Sequence, residues 1–400
     1  MTNTPIKRMR VWFACFLTAT LSLVAAACTT AAGGGPHTTV APVGPPAVFS
    51  FSATRASGPS PLTTALTWSV PIPESTPFTC LIDLDDDGAA EISVAECTSS
   101  SMRSVTFDSE GTHTVRLSVT DGETTATSDA VNVTVGPASA DTYDIDLRLA
   151  PGISPSQQAV FEAAASRWEE VVRTGLPAIE FTAPADYCGT GSPAFSGEVD
   201  DLLVDADVSP IDGPGGVLAK AGPCLVRSAG GLPVFAAMQF DSADVADLET
   251  DGVFETVVAH ELGHAIGFGT VWDSLLVGAG SGQPRFAGLV ARGAWDALEG
   301  GSGVTVPVEG GGGPGTADSH WREAVFESEL MTGYIDPDPN PLSAVTIGAL
   351  ADLGYGVDLG AADSFGTPAL HAHGTWEFEL RSEPLALHEE LLHPKGHVGG

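Results

Sequence analysis

The sequence predicts two folded parts of different class: an all-β sandwich over residues 47–137 and an α+β domain over 143–365, a mixed sheet with helices. Three observations carry this. Residues 47–137 hold short alternating apolar runs separated by turn residues, the period of half-buried strands. Composition shifts over 138–142, which read as a short linker. Beyond it the order is strand, helix, strand, strand, leading into a helix at HELGHAIGFG.

Four hundred residues with 43% hydrophobic side chains can fill two cores. Acidic residues number 51 against 16 basic, a formal net charge of −35, which argues against a nucleic-acid partner because phosphate binding needs clustered Lys and Arg. The ordinary reading of such acidity is a solvated surface suited to an exported or salt-exposed protein.

Residues 1–28 form an export signal: Lys7, Arg8 and Arg10 precede the apolar run VWFACFLTATLSLVAAAC. Two processing patterns compete. Ala25 and Ala27 satisfy the A-x-A rule, while AAAC ending at Cys28 resembles a bacterial lipoprotein box with Ala25 in place of the usual Leu. After cleavage Cys28, Cys80, Cys97, Cys188 and Cys224 remain. Cys80 with Cys97 and Cys188 with Cys224 can each close a local disulfide, which leaves Cys28 over and favours its lipidation. The expected destination is the bacterial cell surface or outer membrane, held only by an N-terminal lipid anchor, or the extracellular medium. Residues 29–46, rich in Gly and Pro, read as a flexible tether.

Within 47–137 the strands are FSFSATR, ALTWSV, TVRLSVT and AVNVTV. The run VTFDSEGTHTVRLSVTDG resembles the closing strands of PKD and related immunoglobulin-like modules of bacterial surface proteins. CLIDLDDDG sits where such modules carry an Asp-rich turn. Asp83, Asp85 and Asp87, followed by Gly88, also have the alternate spacing of a calcium loop, but Val94 stands where an EF-hand needs a bidentate Glu. A plain Asp-rich hairpin turn is the competing reading.

In the second part YDIDLRLA reads as a strand and SPSQQAVFEAAASRWEEVV as an amphipathic helix begun by Ser154 or Ser156. Its Phe161 and Trp168 stripe is expected in the core. VDDLLVDADV and LPVFAAMQFDS supply two further strands around a Gly-rich loop.

The motif itself follows from helical geometry. Successive residues turn by about 100°, so His260 and His264 lie about 40° apart on one face, one turn apart, and both imidazoles can reach one metal. Glu261 is offset from direct ligation but within reach of a water there. Val258, Leu262 and Ile266 lie opposite and can bury the helix, and Gly267 and Gly269 stop it. Two neutral imidazoles and a third protein ligand around zinc leave a position for water, whose pKa the cation lowers to about 7. With Glu261 as general base, the expected chemistry is amide hydrolysis.

The third ligand is not obvious. Zinc proteases that begin HExxHxxG usually place a third His three residues after the glycine, where this chain has Thr270. His371, His373, His388, His393 and His397 fall in the segment 366–400, which reads as a C-terminal tail of solvated histidines. His320 ends a glycine-rich loop and precedes an apolar segment. Taken together, GHAIGFGTVW, SHWREAVFESELMTGY and NPLSAVTIGALADLGY resemble bacterial members of the leishmanolysin-like metzincins, over residues 143–365. In that family a long insertion displaces the third histidine and a methionine turn lies beneath the metal. The resemblance implies a metzincin-like zinc protease domain acting on protein or peptide substrates. It implies that His260, His264 and His320 hold zinc, that Glu261 is the base and that Met331 forms the turn.

Two rivals remain at this level. One is a non-enzymatic adhesin or binding lipoprotein with an inert protease fold, which the sandwich and tether would suit. The other is a gluzincin-type site completed by Glu299 or Glu309, neither of which lies in that family's helical setting.

Overall fold

Alternation along Gly111–Thr120 turns Val115, Leu117 and Val119 to one face, and all three are buried. That strand belongs to a sheet with Ser57–Pro59, Val131–Gly136, Thr79–Asp83 and Ile92–Val94. Ser50–Ala53, Leu62–Ser69 and Ser100–Phe107 form a second, antiparallel sheet, and the two share one apolar core containing Leu62, Leu66, Trp68, Val105 and Phe107. The computed structural model describes residues 50–70, 78–94, 100–137, 141–299, 304–336, 339–366 and 384–399, so the export signal, the tether, Cys28 and Cys97 lie outside the described residues.

Leu62–Ser69 is buried on both faces. While Leu66 and Trp68 enter the sandwich core, Ala65 enters the core of the α+β part. Thr63 Oγ1 donates to the carbonyl of Val357 at 3.1 Å, and Ser104 Oγ to that of Val290 at 2.7 Å. Residues Gly44–Gly400 accordingly fall in one compact unit.

The second part is built on a sheet in which Ile145–Leu149, Leu202–Ser209 and Pro233–Asp241 run parallel and Ala219–Arg227 lies antiparallel beside the last. Two helices pack on it. Pro155–Val171 begins at Ser154, with a reciprocal capping box to Gln157, and buries Phe161, Ala164, Trp168 and Val171. Trp168 Nε1 donates to the carbonyl of Ala259 at 2.8 Å, bracing the helix Phe254–Ala265 that carries the motif. A third helix, Leu289–Glu299, packs on Ala344–Leu353 closely enough that a side chain at Gly348 would meet the Ala291 backbone at 2.8 Å.

The expected C-terminal tail differs from what the structure holds. Glu389–Leu391 and Gly396–Val398 pair in parallel with Ala219–Arg227, extending the main sheet, and Leu385–Ala386 pairs with Tyr334–Ile335. These strands are only two or three residues long, and their Glu and His content masks a periodicity that pairing with a distant strand makes stable. His371 and His373 lie outside the described residues.

Candidate metal centre

The helix Phe254–Ala265 delivers His260, Glu261 and His264 to the interior, each fully buried. Its tight seat depends on Gly263: a Cβ there would meet Met331 Sδ at 2.7 Å and Trp168 at 3.0 Å. Beyond the helix, Gly269 at φ +73° lets the carbonyl of Ser319 approach so closely that a Cβ would lie 2.2 Å from it. This contact seats the loop that carries His320. Thr270, where a ligand histidine is common, instead donates its hydroxyl to the carbonyl of His264 at 2.9 Å and caps the helix end.

Three imidazoles converge. His260 Nε2 lies 2.9 Å from His264 Nε2 and 3.1 Å from His320 Nε2, and the latter two are 3.0 Å apart. Each Nδ1 faces a backbone carbonyl: His260 that of Leu330 at 2.7 Å, His264 that of Phe268 at 2.9 Å, His320 that of Thr316 at 3.2 Å. A carbonyl only accepts, so the proton sits on Nδ1 and the three Nε2 lone pairs point at one another. Burial reinforces this by holding the His264 pKa well below the ordinary imidazole value. Three bare lone pairs within about 3 Å repel unless a cation lies among them, and the separations suit one ion with Zn–N of about 2.0–2.1 Å.

Met331 is buried against Gly263, between the two helical histidines. Its loop is tied to the centre twice. The carbonyl of Leu330 holds His260, and Trp321 N, next to His320, donates to the carbonyl of Met331 at 3.0 Å. Glu329, buried beneath, accepts from Met331 N at 2.6 Å, Ser343 Oγ at 2.7 Å and Thr346 Oγ1, which fixes the turn to the helix Ala344–Leu353.

A fourth residue enters that sequence reasoning missed. Glu389 Oε1 lies 2.8 Å from His320 Nε2, and Oε2 lies 3.5 Å from Nε2 of both His260 and His264. The Glu261 carboxyl adjoins it and has no hydrogen-bond donor. Burial first, and then the Glu389 charge, push Glu261 well above the usual carboxyl range. Burial opposes ionisation of Glu389, and positive charge among His320, His264 and His260 is what outweighs it and holds it well below that range. Of the carboxylates weighed from sequence, Glu309 lies outside the cluster. Glu309 accepts from Gly310 N, Gly311 N and Glu323 N, and the Glu299 side chain lies outside the described residues.

Away from the centre, Cys188 and Cys224 form a disulfide with Cα atoms 5.4 Å apart, linking a surface loop to the strand Ala219–Arg227. Cys80 is disulfide-bonded. Asp83, Asp85 and Asp87 cluster with Glu91, but Asp83 and Asp85 accept from the amides of their own turn, Asp86 N at 2.7 Å and Gly88 N at 2.8 Å among them. This is the arrangement of an Asp-rich hairpin turn and assigns no calcium.

Comparison with known proteins adds the following. No curated protein matches the chain. A solved structure, the PKD domain of an M14-like peptidase from Thermoplasmatales archaeon SCGC AB-540-F20, is similar at 20% identity and a TM-score of 0.18, over 23% of this chain and 96% of that one. The model of the leishmanolysin peptidase family matches residues 178–277 and 302–366, the two segments that carry the helix of His260 and His264 and the loop of His320 and Met331. This supports a protease of a zinc metallopeptidase family.

Proposed function

We propose that the protein is an exported zinc metalloendopeptidase in which His260, His264 and His320 hold the metal and Glu261 is the general base. The observation that carries this is the convergence of three Nδ1-protonated imidazoles whose Nε2 atoms lie 2.9–3.1 Å apart in a fully buried site. When bound, zinc supplies Lewis acidity that polarises a peptide carbonyl and brings the pKa of a water to about 7. Glu261, one residue from His260 on the same helix, takes the proton of the attacking water and returns it to the leaving amine. Its carboxyl finds no hydrogen-bond donor among the described residues. Met331 packs beneath the histidines as the floor of the centre. The export signal and Cys28 support a mature chain at the cell surface, and the sandwich supports a PKD-like module ahead of the peptidase part.

The test is zinc content together with casein hydrolysis, measured in the full chain and in a Glu389→Ala background. Glu261→Gln should keep one zinc per chain and lower hydrolysis by about 10²–10⁴-fold, the usual contribution of general base catalysis. Zinc bound at His260, His264 and His320 with no peptide cleaved in either background would reject the protease and favour a binding protein.

A further inference from the structure

Resting on the proposed zinc site, we infer that the C-terminal segment 384–399 is an intramolecular clasp that holds the centre closed, with Glu389 as a fourth protein ligand. Catalytic zinc sites keep one position open for water, whereas sites with four protein ligands are closed and structural. Here the three imidazoles do not face an open position. Glu389 is buried, with Oε1 2.8 Å from His320 Nε2, and neither of its oxygens finds a hydrogen-bond donor. A carboxylate among bare imidazole lone pairs is unfavourable alone and favourable around a shared cation.

The segment is seated for this on both sides of Glu389. On one side Leu387 N donates to the carbonyl of Gly333 at 3.0 Å, in the chain just after Met331. On the other, Leu392 N donates to the carbonyl of Ala221 at 2.7 Å, on the strand Ala219–Arg227. Farther on, Lys395 Nζ donates to the carbonyls of Tyr187 at 2.9 Å and Cys188 at 3.0 Å. The receiving surface lacks side chains where the backbone passes. A Cβ at Gly315 would stand 2.3 Å from the carbonyl oxygen of Glu389, and one at Gly222 2.2 Å from that of Leu392. Because the segment pairs along Ala219–Arg227, it also occupies the backbone edge to which an extended peptide could add. A substrate therefore reaches Glu261 and the metal only after the clasp leaves.

The experiment compares wild type, Glu389→Ala and the isosteric Glu389→Gln as full chains, loaded with cobalt(II) or zinc. With four protein ligands, the wild-type cobalt spectrum should not change on adding acetohydroxamate, whereas both variants should bind it and shift their visible bands. Zinc affinity should fall at least about tenfold in the variants, a loss that even a ligand's outer partner can cause. Casein hydrolysis should rise at least tenfold. One zinc per chain in Glu389→Gln serves as the check that the site has folded. Wild type binding acetohydroxamate as well as the variants do, with equal zinc affinity, would overturn the clasp while leaving the zinc protease intact. No metal bound in any of the three would overturn the zinc site on which it rests.

Discussion

At the residue scale the centre depends on which nitrogen carries each proton. Carbonyls of Leu330, Phe268 and Thr316 fix the three tautomers, and a ligand histidine without such a partner would hold metal less well. His320 is the residue on which the trio depends, since two imidazoles alone make a weak, exchangeable site. His320→Ala should abolish tight zinc binding and hydrolysis. His393→Ala and His397→Ala, both at exposed positions outside the cluster, should leave zinc stoichiometry unchanged. Atomic absorption on the dialysed proteins checks this, and one tightly held zinc in His320→Ala would refute the assignment. His264 shows how a departure from the usual motif is absorbed. Thr270 is not a failed ligand but the acceptor-side cap of the helix, bonded to the carbonyl of His264 itself.

At the element scale, the helix Phe254–Ala265 and the His320 loop meet through a glycine. Gly269 has φ +73°, and a Cβ there would collide with the Ser319 carbonyl at 2.2 Å and touch His264 Nδ1 at 3.2 Å. Gly252 has nearly the same backbone, φ +74°, but open space around it. The pair separates strain from collision. Gly252→Ala should lose only the cost of a left-handed alanine, about 1–2 kcal/mol. Gly269→Ala should add an overpacking cost of about 1–3 kcal/mol and displace His320, weakening zinc binding as well. Denaturant unfolding and zinc competition on the two variants check it, and equal zinc affinities would show that the close approach does not position His320. The motif's helix, its glycine stop and the Pro155–Val171 helix with its Ser154 cap are legible in sequence because 3.6-residue periodicity and capping chemistry are local. The short C-terminal strands are not. With so few residues each, they owe their existence to Ala219–Arg227, and no local preference announces them.

At the scale of the whole molecule, the proposed zinc ligands come from segments that the chain keeps far apart, so removal of the metal should loosen the fold. In the absence of zinc, His260, His264, His320 and Glu389 leave bare lone pairs and a carboxylate facing each other in a buried site. Ligand linkage then predicts a melting temperature that falls on chelation and recovers with added zinc. Scanning calorimetry in a chelator checks this, and His320→Ala should show no chelator effect. The sandwich contributes to the same unit, since Ala65 and Thr63 reach into the neighbouring part instead of facing a free linker. No helix among the described residues is long and apolar enough to cross a membrane. The proposed attachment, which rests on the AAAC pattern and the cysteine count, is lipid at Cys28, and mass spectrometry of the membrane fraction should find a diacylglyceryl adduct there. Soluble protein with an unmodified Cys28 would mean ordinary secretion.

The sequence by itself determined the alternating strand TVRLSVT, the Cys188 and Cys224 pairing, and a helix presenting His260, Glu261 and His264 together. All of these follow from neighbours along the chain: alternation, helical spacing, glycine stops and cysteine count. His320 stood out only through a family resemblance, because nothing local marks a residue 56 positions from its partner. Glu389 did not stand out at all. Tertiary structure alone brought it to the imidazoles, through strand pairing with Ala219–Arg227 and the glycine-lined passage at Gly222 and Gly315. A carboxylate in a short, charged stretch reads as solvated until packing removes its water, and that removal depends on segments far from it in sequence.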